Sequence, residues 1–322
     1  MLFLRKAMDM DNLKNKQMHV AVVGAGQIGT PVVERLAELG ARVTWISRTR
    51  PRTLPDGVEH RSVDATDARA LAEAIRGASA VIAAVNPAIY DAQVWRETLP
   101  PLHRGLIDAV SKVGARLVVL DALYLYALDQ GPLKPETAHA PSTEKGNIRK
   151  QVADMLAEAQ AEGRVRATVL RASDFWGPGL SSALITREGL RSLKQGKRPF
   201  LVGDPDQPHA FSHRDDVVNA LVNLALAESD VEGRVFHAPV VHVAPRTLLS
   251  ALTRALGVEA RPLVTPAWML RLLGVFSKPM RGMVEMLPQW QNPYLVDDSA
   301  YCERFGVQAT SLADGVAQLA RA

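Results

Sequence analysis

A single cysteine, Cys302, stands in a chain of 322 residues. It excludes an intrachain disulfide and a cysteine-built metal cluster, and it fits a reducing cytoplasm. Aromatic residues are scarce, at 5%. No basic–aromatic stripe, recognition-helix pattern or zinc-finger spacing occurs, so no nucleic-acid partner is expected. The eight histidines form no H-E-x-x-H or related cluster, and no metal is expected. No apolar run approaches the ~18 residues of a membrane span. The opening stretch MLFLRKAMDMDNLKNKQ meets Arg5 and Lys6 after four apolar residues. It lacks the apolar region of a signal peptide and reads as a flexible arm over residues 1–17. An excess of either charge is also missing: 38 basic against 34 acidic residues leave +4, too little to dictate a polyanionic partner.

What is present is a globular composition, 47% hydrophobic and 22% charged, in a chain longer than single cores usually grow. A valine-rich strand, His19 to Val23, runs into Gly24-Ala25-Gly26-Gln27-Ile28-Gly29. Ile28, Val32, Leu36 and Leu39 then recur at helical spacing until Gly40 stops the helix, and Ala41 to Ile46 is a second strand. The alternation continues with helices predicted over 67–76, 102–113 and 144–161, and strands over 80–85, 116–120 and 166–170. The strands are short and apolar without alternation, as expected where helices cover both faces of a parallel sheet. The fold class is therefore α/β: a doubly wound Rossmann sheet over residues 18–175, with a smaller, mostly helical lobe over 176–322. That lobe is interleaved with the main domain, and residues 211–240 return to it.

The glycine run carries the first chemistry. Gly24 permits the tight turn, Gly26 clears a path for a diphosphate, and Gly29 lets helix and sheet pack closely. The helix N-terminus at Gln27 and Ile28 offers unpaired N–H groups to the phosphates. At the end of the second strand, Ser47, Arg48 and Arg50 stand where an NAD site usually places an acid. A guanidinium pairs with a 2′-phosphate, so NADP(H) is favoured, with NAD(H) the alternative. Asp64 reads either as a contact to the adenine edge or as a helix cap. Ala83 and Ala84 end the next strand, where small residues let a cofactor approach.

These features resemble the short-chain dehydrogenase/reductase superfamily, and more narrowly its extended NAD-dependent epimerase/dehydratase branch or its atypical relatives. The resemblance spans roughly residues 18–240. It rests on Gly24–Gly29, the strand ending at Leu120, Pro141 before a helix, the segment Leu170-Arg171-Ala172-Ser173-Asp174-Phe175-Trp176-Gly177-Pro178, and Phe211 to Val217. It implies a catalytic Ser/Thr, Tyr and Lys, with tyrosine and lysine at i and i+4 on one helix face. This chain departs from that pattern. Lys145 takes the tyrosine place, Arg149 the lysine place, and Ala122 the serine place.

Two readings follow. In one, the chemistry has moved to Tyr124 or Tyr126, beyond a central strand, with Lys145 depressing the tyrosine pKa and Arg149 kept as a ribose or phosphate contact. In the other, catalysis is lost and the chain senses or scaffolds around NADP(H). Tyr126 also matches a family tyrosine that is often structural. Glu136 resembles a family loop acid at the substrate mouth, and Asn86, Phe175, Trp176 and Phe211 are placed along the substrate pocket. The leading expectation is NADPH-dependent reduction of a small carbonyl or enone by a relocated tyrosine. The alternative enzyme is a nucleotide-sugar epimerase or dehydratase. The expected partner is a small molecule, and a homodimer is the one assembly allowed for.

Overall fold

Short strands that are apolar on both faces form a sheet only if something covers each side. In the computed structural model, which describes residues 18–128, 131–259, 262–276, 282 and 284–322, helices do this. The arm expected over 1–17 lies outside the described residues. The main sheet contains β1 (His19–Val23), β2 (Arg42–Ser47), β3 (Val58–Ser62), β4 (Ala80–Ala83), β5 (Arg116–Ala122), β6 (Arg166–Ala172) and β10 (Val235–His237). Its order is β10-β6-β5-β4-β1-β2-β3, and every pairing is parallel. This is the doubly wound order, with its switch point between β1 and β4.

α1 (Gly29–Glu38) and α6 (Arg214–Leu226) cover one face, sharing a core with Val20, Val22 and Val43. α2 (Ala68–Ala74), α3 (Ala92–Val113) and α4 (Glu144–Ala161) cover the other, packing on Ala21, Val23, Val81 and Leu117. Each fully buried Val, Leu or Ile in these layers contributes about 1.5–3 kcal/mol. Residues after β6 enter the smaller lobe through β7 (Asp174–Trp176), α5 (Arg187–Lys194), β8 (Phe200–Val202) and β9 (His209–His213). α6 and β10 then rejoin the main body, where β10 pairs with β6. The chain continues through β11 (Val241–Val243), α7 (Pro245–Leu256), β12 (Leu263–Thr265), α8 (Ala267–Phe276) and α9 (Leu287–Gln291), and closes with α10 (Ser299–Phe305) and α11 (Leu312–Arg321). Among the described residues, no helix is long and apolar enough to cross a membrane, and no group of His, Cys, Asp and Glu is arranged to hold a metal.

Two elements depart from the sequence expectation. α3 begins at Ala92 rather than near 102, because Asp91 caps it by accepting from Gln93 N and Val94 N. Pro100 and Pro101 sit inside it and disguise its first half. β3, sequence VEHRS, is an exposed edge strand whose polar side chains carry no strand signal.

Candidate functional site

The turn after β1 shows three glycines in three environments. Gly24 adopts φ +120°, and a Cβ there would lie 2.3 Å from the Ala84 carbonyl oxygen. A Cβ on Gly29 would lie 2.4 Å from the Gly24 carbonyl oxygen. Around Gly26 a Cβ would meet nothing within 4 Å, so the turn opens outward at that point. The Ile28 cap has no side-chain hydrogen bond; Thr30 N donates to Gly26 O at 3.1 Å and Pro31 has no N–H, so Gly29 N is the N–H of the first turn left for a ligand. An open cradle beside the positive end of a helix fits a diphosphate. Trp45 Nε1 donates to Gly24 O at 2.8 Å and fixes the turn from below. Gln27 reaches across to the smaller lobe. Its Oε1 accepts from Ser181 N, Ser181 Oγ and Ser182 N, each at 3.1 Å, and its Nε2 donates to Ser182 O at 3.2 Å.

At the outer strand ends, the Ser47 hydroxyl donates to Thr49 O and pairs with His60. Arg48 and Arg50 are exposed. Asp64 accepts from Thr66 N and Thr66 Oγ1, bonds that hold its carboxyl below the usual range. Asp67, not Asp64, caps α2. Ala83 and Ala84 are buried, and Ala84 N donates to Val23 O.

The inner strand ends hold the charged residues. Thr143 caps α4 through Gly146 N, and Gly146 packs closely against the Tyr124 backbone just beyond β5. Lys145 is fully buried and paired with Glu285, whose other oxygen accepts from Lys145 N at 2.7 Å. Its ammonium lies 4.4 Å from the centre of the Tyr90 ring. Arg149, also buried, donates to Asp121 at 3.2 Å and to Asn86 at 2.6 Å and lies over Trp95. Arg171 approaches the second oxygen of Asp121.

The Tyr124 hydroxyl lies near that of Tyr90, and its ring stacks on Trp95. Burial pushes both hydroxyls up, and the charges of Asp174 and Glu285 add to this. The depression of the Tyr124 pKa expected from Lys145 is therefore corrected: Glu285 compensates the ammonium, and desolvation dominates. Tyr126 is buried and bonded to Arg171 and His237, and its hydroxyl is also pushed up by burial.

Among the residues placed along the pocket, Asn86 lies at the strand ends beside Arg149. Glu136 is an exposed loop acid, and Phe175 is half-buried against the main core. Trp176 and Phe211 are corrected from pocket wall to lobe core. Both are buried together with Leu190, Leu248 and Leu319, and Trp176 presses on Gly315. Sequence reasoning missed Tyr90, His209 and Glu285. Tyr90 stands beside the Asp91 cap, whose Asp-x-x pattern was the available signal.

A parallel sheet in the doubly wound order, with an open glycine turn at its switch point, defines a dinucleotide-binding α/β protein. The model of the NAD dependent epimerase/dehydratase family matches residues 20–238, and the chain belongs to that family, within the extended short-chain dehydrogenase/reductases. No curated protein matches the sequence. Similar solved structures include UDP-glucose 4-epimerase from Thermotoga maritima with UDP-glucose, at TM-score 0.76 and 18% identity, covering 94% of this chain and 98% of that one. The dTDP-glucose 4,6-dehydratase of Streptomyces venezuelae with NAD gives 0.75 and 20%, covering 94% and 96%. UDP-glucuronic acid 4-epimerase from Bacillus cereus with UDP-glucuronic acid and NAD gives 0.76 and 14%, covering 94% and 98%. Where these and further similar structures name a nicotinamide cofactor, it is NAD. The preference for NADP(H) drawn from Arg48 and Arg50 is corrected accordingly. Both arginines are solvent-exposed.

Proposed function

We propose that this chain is an NAD-dependent oxidoreductase acting on a nucleotide sugar, with Tyr124 holding the reacting oxygen. The observation that carries this reading is the placement of Tyr90 and Tyr124 just beyond β4 and β5, at the same carboxyl end of the parallel sheet as the Gly24–Gly29 turn. Sugar nucleotides are the substrates named for the similar epimerases and dehydratase, which favours them over the small carbonyl or enone first expected. NAD, when bound, supplies the acceptor for a hydride from a carbinol carbon.

The remaining work is that of the chain. The Gly24–Gly29 turn and the positive end of α1 bind the diphosphate. Arg149, fixed by Asp121, orients Asn86 at the end of β4. Tyr124 hydrogen-bonds the substrate oxygen and keeps its proton at neutral pH. Lys145 does not reach the substrate; it anchors Glu285 over the start of α4.

Mixing the protein with NAD and UDP-glucose, UDP-glucuronate or dTDP-glucose should produce NADH absorbance or an altered sugar by NMR. Tyr124→Phe should cut turnover by about 10²–10³-fold and leave the NAD affinity unchanged by calorimetry. Normal turnover would remove Tyr124 from the reaction. The burial of Lys145 in the family's tyrosine place favours a second reading, a dinucleotide sensor without turnover. NAD uptake with no product from any sugar nucleotide selects that one.

A further inference from the structure

β5 and β6 run in register through Asp121↔Arg171 and Ala122↔Ala172, so the chain leaves both strands side by side. Tyr124 follows the first strand and Asp174 the second. Oδ2 of Asp174 accepts from His209 Nε2 at 2.8 Å and from Gln289 Nε2 at 3.1 Å. A carboxylate oxygen accepts, so the bond is assigned with Nε2 of His209 as donor. His209 is 2% exposed; its ring stacks on Trp290 at 4.1 Å and packs against Tyr294 and Phe211. Oδ1 of Asp174 makes no hydrogen bond among the described residues, and the side chain is 23% exposed. One oxygen is thus clamped by buried donors while the other stays open. Burial raises Tyr90, Tyr124 and Tyr294, and the nearby Asp174 carboxylate adds to each rise.

The other groups at the strand ends are already engaged. Lys145 pairs with Glu285, Arg149 and Arg171 share Asp121, and the two tyrosine hydroxyls hold their protons. A tyrosine with no free cation beside it is a poor acceptor of a substrate proton. A carboxylate held through one oxygen and open at the other is a good one.

We propose that Asp174 is the proton acceptor of the reaction, a catalytic residue that takes the substrate hydroxyl proton on Oδ1, and that His209 is the positioning residue behind it. This rests on the reading of the chain as a sugar-nucleotide oxidoreductase. In the oxidation direction the carbinol C–H bond breaks and its electron pair leaves with the hydrogen to NAD. The O–H bond breaks as its proton passes to Asp174 Oδ1, and the C=O bond forms. Reduction returns the proton from the same oxygen. Tyr124 donates a hydrogen bond to the substrate oxygen in both directions and transfers no net proton.

The test is single-turnover NADH formation by the full chain with NAD and UDP-glucose or UDP-glucuronate, alongside calorimetric titration of each ligand. Asp174→Asn keeps the shape of the side chain and should slow NADH formation by about 100-fold or more, with both affinities unchanged. His209→Phe should lower kcat with KM unchanged, and His209→Gln, which keeps an N–H donor, should restore most of the rate. This pair gives the reading independently if Asp174→Asn does not fold. A wild-type rate in Asp174→Asn overturns the assignment. So does a slow Asp174→Asn that no longer binds the sugar nucleotide, because Asp174 is then a binding group. Wild-type protein that forms no NADH with any sugar nucleotide instead overturns the functional reading itself, and the two failures are told apart by the wild-type trace.

Discussion

Gly24, Gly26 and Gly29 share one turn, but the space around each gives it a different role. At Gly24 a methyl group would collide with the Ala84 backbone in a conformation L-residues rarely adopt, and at Gly29 it would collide with the turn itself. At Gly26 it would project into open space. Gly24→Ala is therefore expected to lower the melting temperature, with at least the ~1–3 kcal/mol of a strained backbone behind it. Gly26→Val is expected to melt as the wild type does while losing about tenfold or more in NAD affinity, read by calorimetry. A Gly26→Val protein with normal NAD affinity would remove the diphosphate from this turn. The pair separates folding from binding within a few residues, and both roles were legible in the sequence because the motif's spacing is mechanical. The cofactor preference was not legible there, because Arg48 and Arg50 mark a charge near the expected place without fixing what that charge meets.

Helix α4 shows what one element discloses and what it withholds. Its limits, 144 and 161, follow from the apolar spacing of Ile148, Val152 and Leu156, and Thr143 supplies the cap. That Lys145 and Arg149 share a face also follows from their spacing. What they face does not. Glu285 is 140 residues from Lys145 in sequence, and Asp121 reaches Arg149 from β5. Long-range pairings of this kind leave no local pattern, and β3 was missed for a related reason, since an edge strand with polar side chains has no buried face to declare it. The buried pair gives a prediction at this scale. Lys145→Met leaves Glu285 against the helix without its cation and should cost about 3–5 kcal/mol. Lys145→Met combined with Glu285→Leu should recover most of that, because replacing both members of a buried pair by apolar groups is often neutral. Urea titration of both variants checks it; equal losses in the single and double variants would show that the pair contributes little to stability.

Summed over the whole molecule, the histidines set a limit on acid tolerance. Burial pushes His103 and His237 down to about 4, His103 beneath the Arg149–Asp121 pair and His237 between Tyr126 and the Asp297 carbonyl. His19, His60, His139, His213 and His242 are lowered in the same direction by the same cause. An unfolded chain binds these protons near the ordinary value of 6.5, and the folded chain binds those of His103 and His237 only near 4. Between the two, the unfolded state holds more protons, so stability is complete above 6.5 and falls as the pH drops toward 4. Each of the two deeply buried histidines then withdraws about 3 kcal/mol, a large share of the ~5–15 kcal/mol that holds a typical domain folded. The lowered carboxyls of Asp64 and Asp297 titrate below 3.8 and so act outside this window. The melting temperature should therefore drop steeply between pH 6.5 and 4, by scanning calorimetry, and His103→Gln should flatten that slope even where it lowers stability at neutral pH. A melting temperature that stays level across the interval would mean that these imidazoles are protonated inside the folded protein, and that the network joining α3 to the strand ends is built on charge rather than on its exclusion.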